Sequence, residues 1–321
     1  MLKTITVHHP HSFKPGDFPP LAIALGYFDG IHLGHQKVIK TARGIAEKNG
    51  WKSAVMTFEP HPSIVLGKKK DGIELITPLE DKIKLIEKLG VDYLFVVRFT
   101  SRFASLLPQQ FVDQYLAALG VKHVVAGFDY TYGKFGKGNM ENLPEYANGR
   151  FGITVIEKLA LENTGEKVSS TLIRSKIREG KVGEVKPLLG RDYEIKGIVV
   201  HGEKRGRQLG FPTANLKLTA SYMLPPNGVY IVQMKVADTW HNGLCSIGYN
   251  PTFKNPEEYE KTTEVYLLDF SDTIYGEEAV VKWLARIREE KKFARVEDLI
   301  EEMKRDETAA RRYFEKQGTA T

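Results

Sequence analysis

Two histidines stand three residues apart in the stretch GYFDGIHLGH, which runs from Gly26 to His35. At positions i and i+3 of a helix, His32 and His35 would share one face of the first turn. An imidazole N–H can donate a hydrogen bond to a phosphate oxygen. The pair therefore indicates a site for a phosphorylated ligand.

The residues around the histidines are typical of a strand-to-helix corner. The apolar run LAIAL precedes the stretch, and we expect a helix to begin near Ile31 or His32. The first N–H groups of a helix have no partner within it and lie at the positive end of its dipole, so they bind phosphate. Glycines at positions 26, 30 and 34 would let the backbone and a ligand approach closely.

Two other interpretations of the histidines compete with a phosphate site. They could form a metal site, which needs further ligands, and no Cys/His cluster with zinc spacing stands nearby in the sequence. They could also be two solvent-facing side chains without a function. The strand before them, the Asp-Gly turn and the helix after them favour the phosphate site.

A second candidate anion site lies in KVSSTLIRSKIREG. Ser169, Ser170 and Thr171 come just before a helical run, and Arg174 follows within the first turn. An ordinary N-cap is the alternative, but position 173 is isoleucine, so the capping box is incomplete. Three hydroxyls and an arginine exceed what a cap requires, and they suit the β- and γ-phosphates of a nucleotide.

The pattern of apolar residues predicts the elements that position these sites. Up to about residue 186, amphipathic segments alternate with strand-like runs, namely LAIALGYF, SAVMTF, YLFVVRF, HVVAGFDY and ITVIEKLAL. Such alternation is typical of a Rossmann-like α/β domain with a parallel sheet and helices on both faces. Ligands of these sheets bind at the carboxyl ends of the strands.

Beyond that point the pattern changes to short strands without helices between them, such as EIKGIVVHGE, GVYIVQMKV, GLCSIGYN and TEVYLLDF. This predicts a small antiparallel β-barrel, and RVEDLIEEMKRDETAARRYFEK predicts a C-terminal helix. We place the domain boundary near Lys186, which gives domains of residues 1–186 and 187–321.

The predicted barrel carries a polar motif of its own. The basic loop HGEKRGRQLGFPTANL contains glycines at 202, 206 and 210, and no Walker A sequence occurs in the chain. In PTAN, Thr213 and Asn215 stand two residues apart, so an extended chain points both side chains the same way. Their oxygens could hold a hard cation such as Mg²⁺ together with nucleotide phosphates.

The charge and composition limit the partners. A net charge of +6 and a pI near 9.0 suit an anionic ligand, whether a nucleotide or a nucleic acid. The single cysteine, Cys245, excludes an internal disulfide, and the first residues lack the apolar run of a signal peptide. The longest apolar runs are too short to span a bilayer. We therefore expect a cytoplasmic protein with no membrane partner.

The motifs of the first domain resemble those of the H-x-G-H nucleotidyltransferases, and SSTLIR, TFEPHP and GFDYTYGKFGKGN resemble their bacterial FAD synthetase branch. The resemblance implies transfer of AMP from ATP to FMN, without a covalent intermediate and with release of pyrophosphate. It implies catalytic roles for His32, His35 and Arg174. It implies that the nucleotide is bound by Gly26, Phe28, Gly30, Gly34, Ser170 and Thr171. It implies that the flavin is bound by Phe58, Phe128, Asp129 and Tyr130.

The second domain resembles the riboflavin kinase barrel through PTAN, PPNGVY, SIGYNPTF, EVYLLDFSDTIYG and RIREEKKF. The resemblance implies phosphorylation of riboflavin by ATP, with Mg²⁺ and the nucleotide held by Thr213 and Asn215. It implies that Glu264 activates the ribityl hydroxyl and that Gly202 and Gly210 bind nucleotide. The chain is thus identified as a member of the bifunctional bacterial riboflavin kinase and FAD synthetase family, whose ligands are ATP, riboflavin, FMN and FAD.

The strand pattern gives Glu264 an expected position. Its side chain alternates with Val265 and shares a face with Tyr266 and Leu268, which is otherwise apolar. We therefore expect Glu264 to point into the barrel or to lie at its rim.

Three rival functions compete with this identification, and the last of them is not an enzyme. Another nucleotidyltransferase with an unrelated barrel would not combine PTAN with Glu264. A class I aminoacyl-tRNA synthetase should contain a K-M-S-K-S-type loop, which the chain lacks. A basic regulator that uses the barrel as an RNA platform would bind with a steep salt dependence and turn over no ATP. We expect no nucleic-acid partner.

Overall fold

The chain forms two compact units, Met1–Ser170 and Thr171–Thr321, which meet at the first residue of the helix Ser170–Arg178. The domain boundary predicted near Lys186 stays a prediction, because a domain limit is defined by independent folding. The computed structural model of the protein describes residues 1–67, 73–161, 163–202, 209–249 and 261–318.

The first unit is built on a sheet of six parallel strands in the order β1-β4-β3-β2-β5-β8. A two-stranded hairpin, β6 with β7, stands beside it. The predicted parallel sheet is confirmed. The strand bounds are β1 Lys3–Val7, β2 Leu21–Leu25, β3 Lys52–Glu59, β4 Tyr93–Arg98, β5 Val121–Gly127, β6 Thr131–Tyr132, β7 Gly138–Asn139 and β8 Gly152–Ile156.

Helices cover both faces of this sheet, as the alternating pattern predicts. They are α1 Leu33–Asn49, α2 Pro62–Val65, α3 Leu79–Lys88, α4 Ser101–Ala104, α5 Pro108–Phe111 and α6 Leu143–Ala147. One apolar cluster joins Ile39 of α1 and Ile86 of α3 to the sheet, and another joins Phe111 and Leu143 to it. The helix predicted over PQQFVDQYLAALG begins as α5 and continues with π-helical turns over Val112–Ala117.

The sheet order places a switch point between β2 and β5. From β2 the chain moves outward to β3 and then β4, and it returns to the other side of β2 as β5. Strand order that reverses in this way leaves a crevice at the carboxyl ends of the two central strands. Gly26 follows the end of β2 and Phe128 follows the end of β5, so both segments with candidate ligand residues lie at this edge.

The second unit contains a closed six-stranded barrel with the order β10-β13-β12-β11-β14-β9 and antiparallel pairing throughout. The almost completely buried Tyr193, Tyr230, Cys245 and Trp283 fill its interior. The predicted antiparallel barrel is confirmed. Its strands are β9 Tyr193–Val200, β10 Thr213–Leu218, β11 Gly228–Val236, β12 Thr239–Tyr249, β13 Lys261–Leu267 and β14 Glu278–Glu289.

Among the described residues, three α-helices accompany the barrel, α7 Ser170–Arg178, α8 Lys186–Leu189 and α9 Val296–Gly318, and a short 3-10 helix spans Val182–Val185. The long α9 is the predicted C-terminal helix, and it packs on the outer wall. Its Tyr313 and Phe314 join Ile231 and Leu244 of the barrel in one apolar cluster. None of the helices in the described ranges has the length and apolarity needed to cross a membrane.

Candidate active sites

The histidine corner links the end of β2 to α1. The helix begins at Leu33, slightly later than expected, and His32 is its N-cap. Phe28 and Ile31 have positive φ angles of 57° and 41°, and Gly30 between them has a φ of 90°. Bulky and β-branched residues adopt such angles at a cost of roughly 1–3 kcal/mol each. The surrounding packing must therefore impose this turn.

The two histidine rings lie against each other, with centroids 3.5 Å apart and planes 19° from parallel. His32 Nδ1 accepts a hydrogen bond from the backbone N–H of His35 at 3.2 Å. A neutral imidazole that accepts at Nδ1 carries its proton on Nε2, so His32 presents Nε2–H as its donor. A Cβ at Gly34 would lie 3.1 Å from His32 Cε1, which explains a glycine between the histidines.

The surroundings of His35 favour the neutral form of its ring. The edge of its ring meets Phe28 at 5.2 Å between centroids, and its Nδ1 is buried with no hydrogen-bond partner among the described residues. Burial first, and then the charges of His32 and Lys82, hold the pKa of His35 well below its ordinary value. Near neutral pH, the His35 ring is therefore uncharged, and it could contact a ligand through hydrogen bonds but not as an imidazolium.

The competing interpretations of the histidines do not fit this geometry. His32 is only 6% exposed, so the pair is not a solvent-facing feature. Within the described ranges no three His, Cys, Asp or Glu side chains are grouped so that they could hold a metal ion. The arrangement instead suits binding of an anion by preorganised donors at a helix start.

The start of α7 reaches the corner through Ser170. The Ser170 hydroxyl donates to the carbonyl oxygen of Asp29 at 2.9 Å, across 141 positions of sequence. Thr171 is exposed, and Arg174 is partly buried with its Nη1 3.9 Å from Met223 Sδ. At the other end of the corner, a Cβ at Gly26 would meet the Phe28 ring at 2.7 Å.

The four flavin candidates occupy different environments. Phe128 is 38% exposed after β5, with the Lys158 ammonium 4.4 Å from the centre of its ring. Asp129 next to it is exposed, and Tyr130 is partly buried with its hydroxyl unpartnered among the described residues. Phe58 packs inside the core against two other aromatic rings, those of Phe99 and Phe103.

The polar motif of the barrel lies across two neighbouring strands. In the β10–β13 pairing, Asn215 stands opposite Glu264 and Thr213 stands opposite Tyr266. The Thr213 hydroxyl donates to a carboxylate oxygen of Glu264 at 3.3 Å. Strand register therefore brings Glu264 to Thr213 and Asn215, which lie about 50 positions earlier in the sequence.

Glu264 lies on the outer wall of the barrel and not in its interior. Val265 next to it is fully buried inside, so alternation places Glu264 and Tyr266 outside. On that wall, Tyr266 packs in the cluster that contains Tyr313 of α9. The expectation that this apolar face points into the barrel is wrong, because the face is apolar where α9 covers it from outside.

The glycines of the basic loop differ in what surrounds them. A Cβ at Gly202 would lie 2.1 Å from Asn215 Nδ2, so only glycine lets the Asn215 amide occupy its place. Gly210 has a φ of 86°, and no atom of the described residues lies within 4 Å of the place a Cβ would take. Gly206 falls within 203–208, which lies outside the described residues.

The side chains of the barrel motif fit a shared Mg²⁺ site. The Thr213 hydroxyl and the Asn215 carboxamide offer the oxygen donors that Mg²⁺ prefers. Both groups are neutral, which matches a cation that is completed by nucleotide phosphates and not held by protein carboxylates alone.

Lys82 and Asp29 are residues of the first site that sequence patterns did not single out. Lys82 follows Leu79 by three positions and precedes Ile86 by four, so it falls on the buried stripe of α3. A lysine on such a stripe is the only sequence signal for it. In the sequence Asp29 appears only as the first residue of an Asp-Gly turn, yet it is 4% exposed.

Comparison with known proteins finds a match in each unit. A profile of the FAD synthetase family matches residues 15–172, and a profile of the riboflavin kinase family matches residues 189–314. The chain is 50% identical over 313 residues to the bifunctional riboflavin kinase/FMN adenylyltransferase of Bacillus subtilis (strain 168), with 98% of each chain covered. It is 50% identical over 315 residues to the protein of that name in Listeria monocytogenes, covering 98% of this chain and 99% of the other.

A solved structure also resembles the whole chain. A Streptococcus pneumoniae protein described as a macrolide-efflux protein is 36% identical and superimposes with a TM-score of 0.84. The match covers 96% of this chain and 98% of the other. The likenesses in sequence and in structure therefore extend across both units.

Proposed function

The chain belongs to the family of bifunctional riboflavin kinases/FMN adenylyltransferases, and we propose that its two sites act on flavin in succession. The barrel unit phosphorylates riboflavin with ATP, which gives FMN. The parallel-sheet unit joins FMN to AMP from a second ATP, which gives FAD and pyrophosphate. The observation that carries this proposal is that each unit has its own phosphate-handling site, the stacked histidines in one and the Thr213–Asn215–Glu264 face in the other.

In adenylyl transfer the FMN phosphate attacks the α-phosphorus of ATP, a P–O bond forms, and the bond to pyrophosphate breaks. We propose that His32 and His35 donate hydrogen bonds to the α-phosphate oxygens as negative charge grows on them. The neutral state of His35 and the fixed Nε2–H of His32 support this role. Donors that are already oriented need no reorganisation at the moment of reaction.

The remaining phosphates of ATP require further partners at this site. We propose that Gly26, Phe28, Gly30 and Gly34 bind the nucleotide through the corner backbone, and that Ser170, Thr171 and Arg174 bind the β- and γ-phosphates. The hydrogen bond from Ser170 to the Asp29 carbonyl supports the part proposed for Ser170, because it holds this residue beside the corner within the first unit.

The flavin would lie at the carboxyl end of β5. Phe128 is exposed enough to stack on the isoalloxazine ring, and Asp129 and Tyr130 stand beside it with polar groups. Phe58 is packed against Phe103, so we propose that it supports the pocket wall more than it covers the ring.

In the kinase reaction we propose that Glu264 takes the proton from the ribityl hydroxyl as the γ-phosphoryl group arrives. The hydroxyl of Thr213 holds the Glu264 carboxylate in place, and Thr213 and Asn215 would hold Mg²⁺ with the nucleotide. When bound, Mg²⁺ neutralises charge on the transferring phosphates. Gly202 and Gly210 would let the phosphates approach the backbone.

We propose a cytoplasmic location and small-molecule partners. The lone Cys245 is buried and unpaired, in keeping with a reducing compartment. The excess of basic residues is expected to serve the phosphates of ATP, FMN and FAD and not a nucleic acid.

The purified protein, given riboflavin, ATP and Mg²⁺ and no other enzyme, is expected to form FMN and then FAD. Excess chelator should stop both steps, because each reaction stabilises charge on a polyphosphate. Chromatography of the three flavins measures the outcome. Failure to form either product with Mg²⁺ would refute the proposed function, and full turnover in chelator would refute the metal requirement alone.

A fragment that begins at Pro187 is expected to fold and to make FMN but no FAD, since about 135 residues suffice for an independent core. A longer fragment that begins at Thr171 is the matched control. It retains the buried Val182 and Val185, whose short helix packs near β14, so it should melt at a higher temperature. A shorter fragment that is insoluble while the longer one is active would show that the predicted boundary lies too late.

A further inference from the structure

One lysine is buried beneath the histidine corner. Lys82 belongs to α3 and is 1% exposed, although lysine is almost never fully buried without a partner. Its position on the buried stripe directs the ammonium group toward the end of β2 and away from solvent. The partners of that ammonium group indicate what it does.

The ammonium group of Lys82 donates a hydrogen bond to the backbone carbonyl of Tyr27, the residue just before the strained turn. Its Nζ lies 2.8 Å from the carbonyl oxygen of Tyr27 and 4.0 Å from the centre of the Tyr27 ring. The Thr57 hydroxyl donates to the same carbonyl at 2.8 Å, and it also lies 3.4 Å from the Lys82 Nζ. Tyr27 directly precedes Phe28, the first residue of the turn with a positive φ.

Asp29 of the corner is hydrogen-bonded to the segment that leads into α3. The carboxylate of Asp29 accepts hydrogen bonds from the backbone N–H groups of Ile76 and Thr77, at 3.3 Å and 2.9 Å. These two residues come just before α3. The turn and the helix that carries Lys82 are therefore fixed to each other from both sides.

A buried charge is more than the Tyr27 carbonyl needs, because the Thr57 hydroxyl already satisfies it. Burial lowers the pKa of Lys82 to about 8, while the charges of Asp29 and Glu59 oppose that shift. The Lys82 ammonium group is nevertheless buried in this position. Its positive charge is one cause of the lowered pKa of His35. The charge therefore acts on the catalytic pair as well as on the turn.

We propose that Lys82 is a positioning residue for adenylyl transfer, which fixes the strained turn and keeps both histidines oriented as neutral donors. This inference rests on the proposed function of the first unit. A displacement of about 1 Å in a catalytic group can cost about 10² in rate, so the effect should fall on kcat more than on KM.

The test is Lys82→Met, which keeps the length and apolar stem of the side chain and removes the charge. We expect kcat for conversion of FMN to FAD to fall about 10- to 100-fold, with KM for ATP changed less than threefold. Riboflavin phosphorylation by the same protein should keep its rate. Lys84→Met, the same change at an exposed position of the same helix, is the control and should retain both activities.

A second readout does not depend on turnover. In the absence of substrate, NMR titration of labelled histidines should show the pKa of His35 rising in Lys82→Met, because a like charge has been removed. The charged or titratable groups that face these two residues are His32 beside His35, and Tyr27, Asp29 and Glu59 near Lys82. Should the Met variant fail to fold, Lys82→Gln keeps a donor without the charge and should show the same rise.

Three results would overturn the inference: an unchanged kcat, an unchanged His35 titration, or an equal loss in Lys84→Met. A loss of kcat in step with a lower melting temperature, without a change in the titration, would also assign Lys82 a merely structural role. If the parent protein forms no FAD at all, the proposed function fails, and the titration still decides the part of Lys82 in tuning His35.

Discussion

Replacing His35 with alanine is expected to lower the rate of FMN-to-FAD conversion by about 10²–10³, which is the usual loss for one preorganised donor to a developing oxyanion. His32→Ala should cause a loss of the same size. Riboflavin phosphorylation should continue in both variants, because the residues proposed for it lie on β10 and β13. Supplying FMN or riboflavin separately to the same preparation measures the two activities independently.

The two histidine variants differ in their expected stability. His32 is the N-cap of α1, and loss of a cap typically costs about 1 kcal/mol. His35→Ala removes a ring that packs on Phe28 and leaves a small cavity. Thermal melts by circular dichroism are therefore part of the measurement.

His8→Ala is the matched control for these changes, since His8 is an exposed histidine of the same unit. It should leave FAD formation unaltered. A parallel fall of both activities in His35→Ala, in a protein with a normal melt, would contradict the assignment of two separate sites.

Replacing Glu264 with glutamine is expected to reduce riboflavin phosphorylation by roughly 10²–10⁴, the range that general-base catalysis contributes. Glutamine keeps the shape of the side chain, and its carbonyl oxygen can still accept the hydrogen bond from Thr213. It lacks the basic carboxylate that would take the hydroxyl proton. Affinity for riboflavin should change little, and FAD formation from supplied FMN should be unaffected.

Glu278→Gln is the control for Glu264→Gln, because Glu278 is an exposed glutamate at the start of another strand of the same barrel, β14. It should phosphorylate riboflavin at the parent rate. A Glu264→Gln protein that works within a few-fold of the parent would remove Glu264 from the mechanism and leave positioning of the nucleotide as the main source of catalysis.

The sequence by itself determined the features that depend on local spacing. Strand and helix periods predicted the parallel sheet and the barrel, because side chains repeat every two residues in a strand and about every 3.6 in a helix. The corner from Gly26 to His35 was also readable, since all of its parts lie within ten residues. Thr213 and Asn215 could be paired for the same reason.

Only the tertiary structure decided which face of each element is covered. Periodicity placed Glu264 with Tyr266, but closure of the barrel and the packing of α9 made that face the outer wall. Likewise, α3 reads as an amphipathic helix with a lysine on its stripe, and the contact of Lys82 with Tyr27 arises only from sheet order. Residues that are distant in sequence come into contact through tertiary packing, which no local pattern encodes. The reason is that the free energy of burial depends on all the residues of the core together.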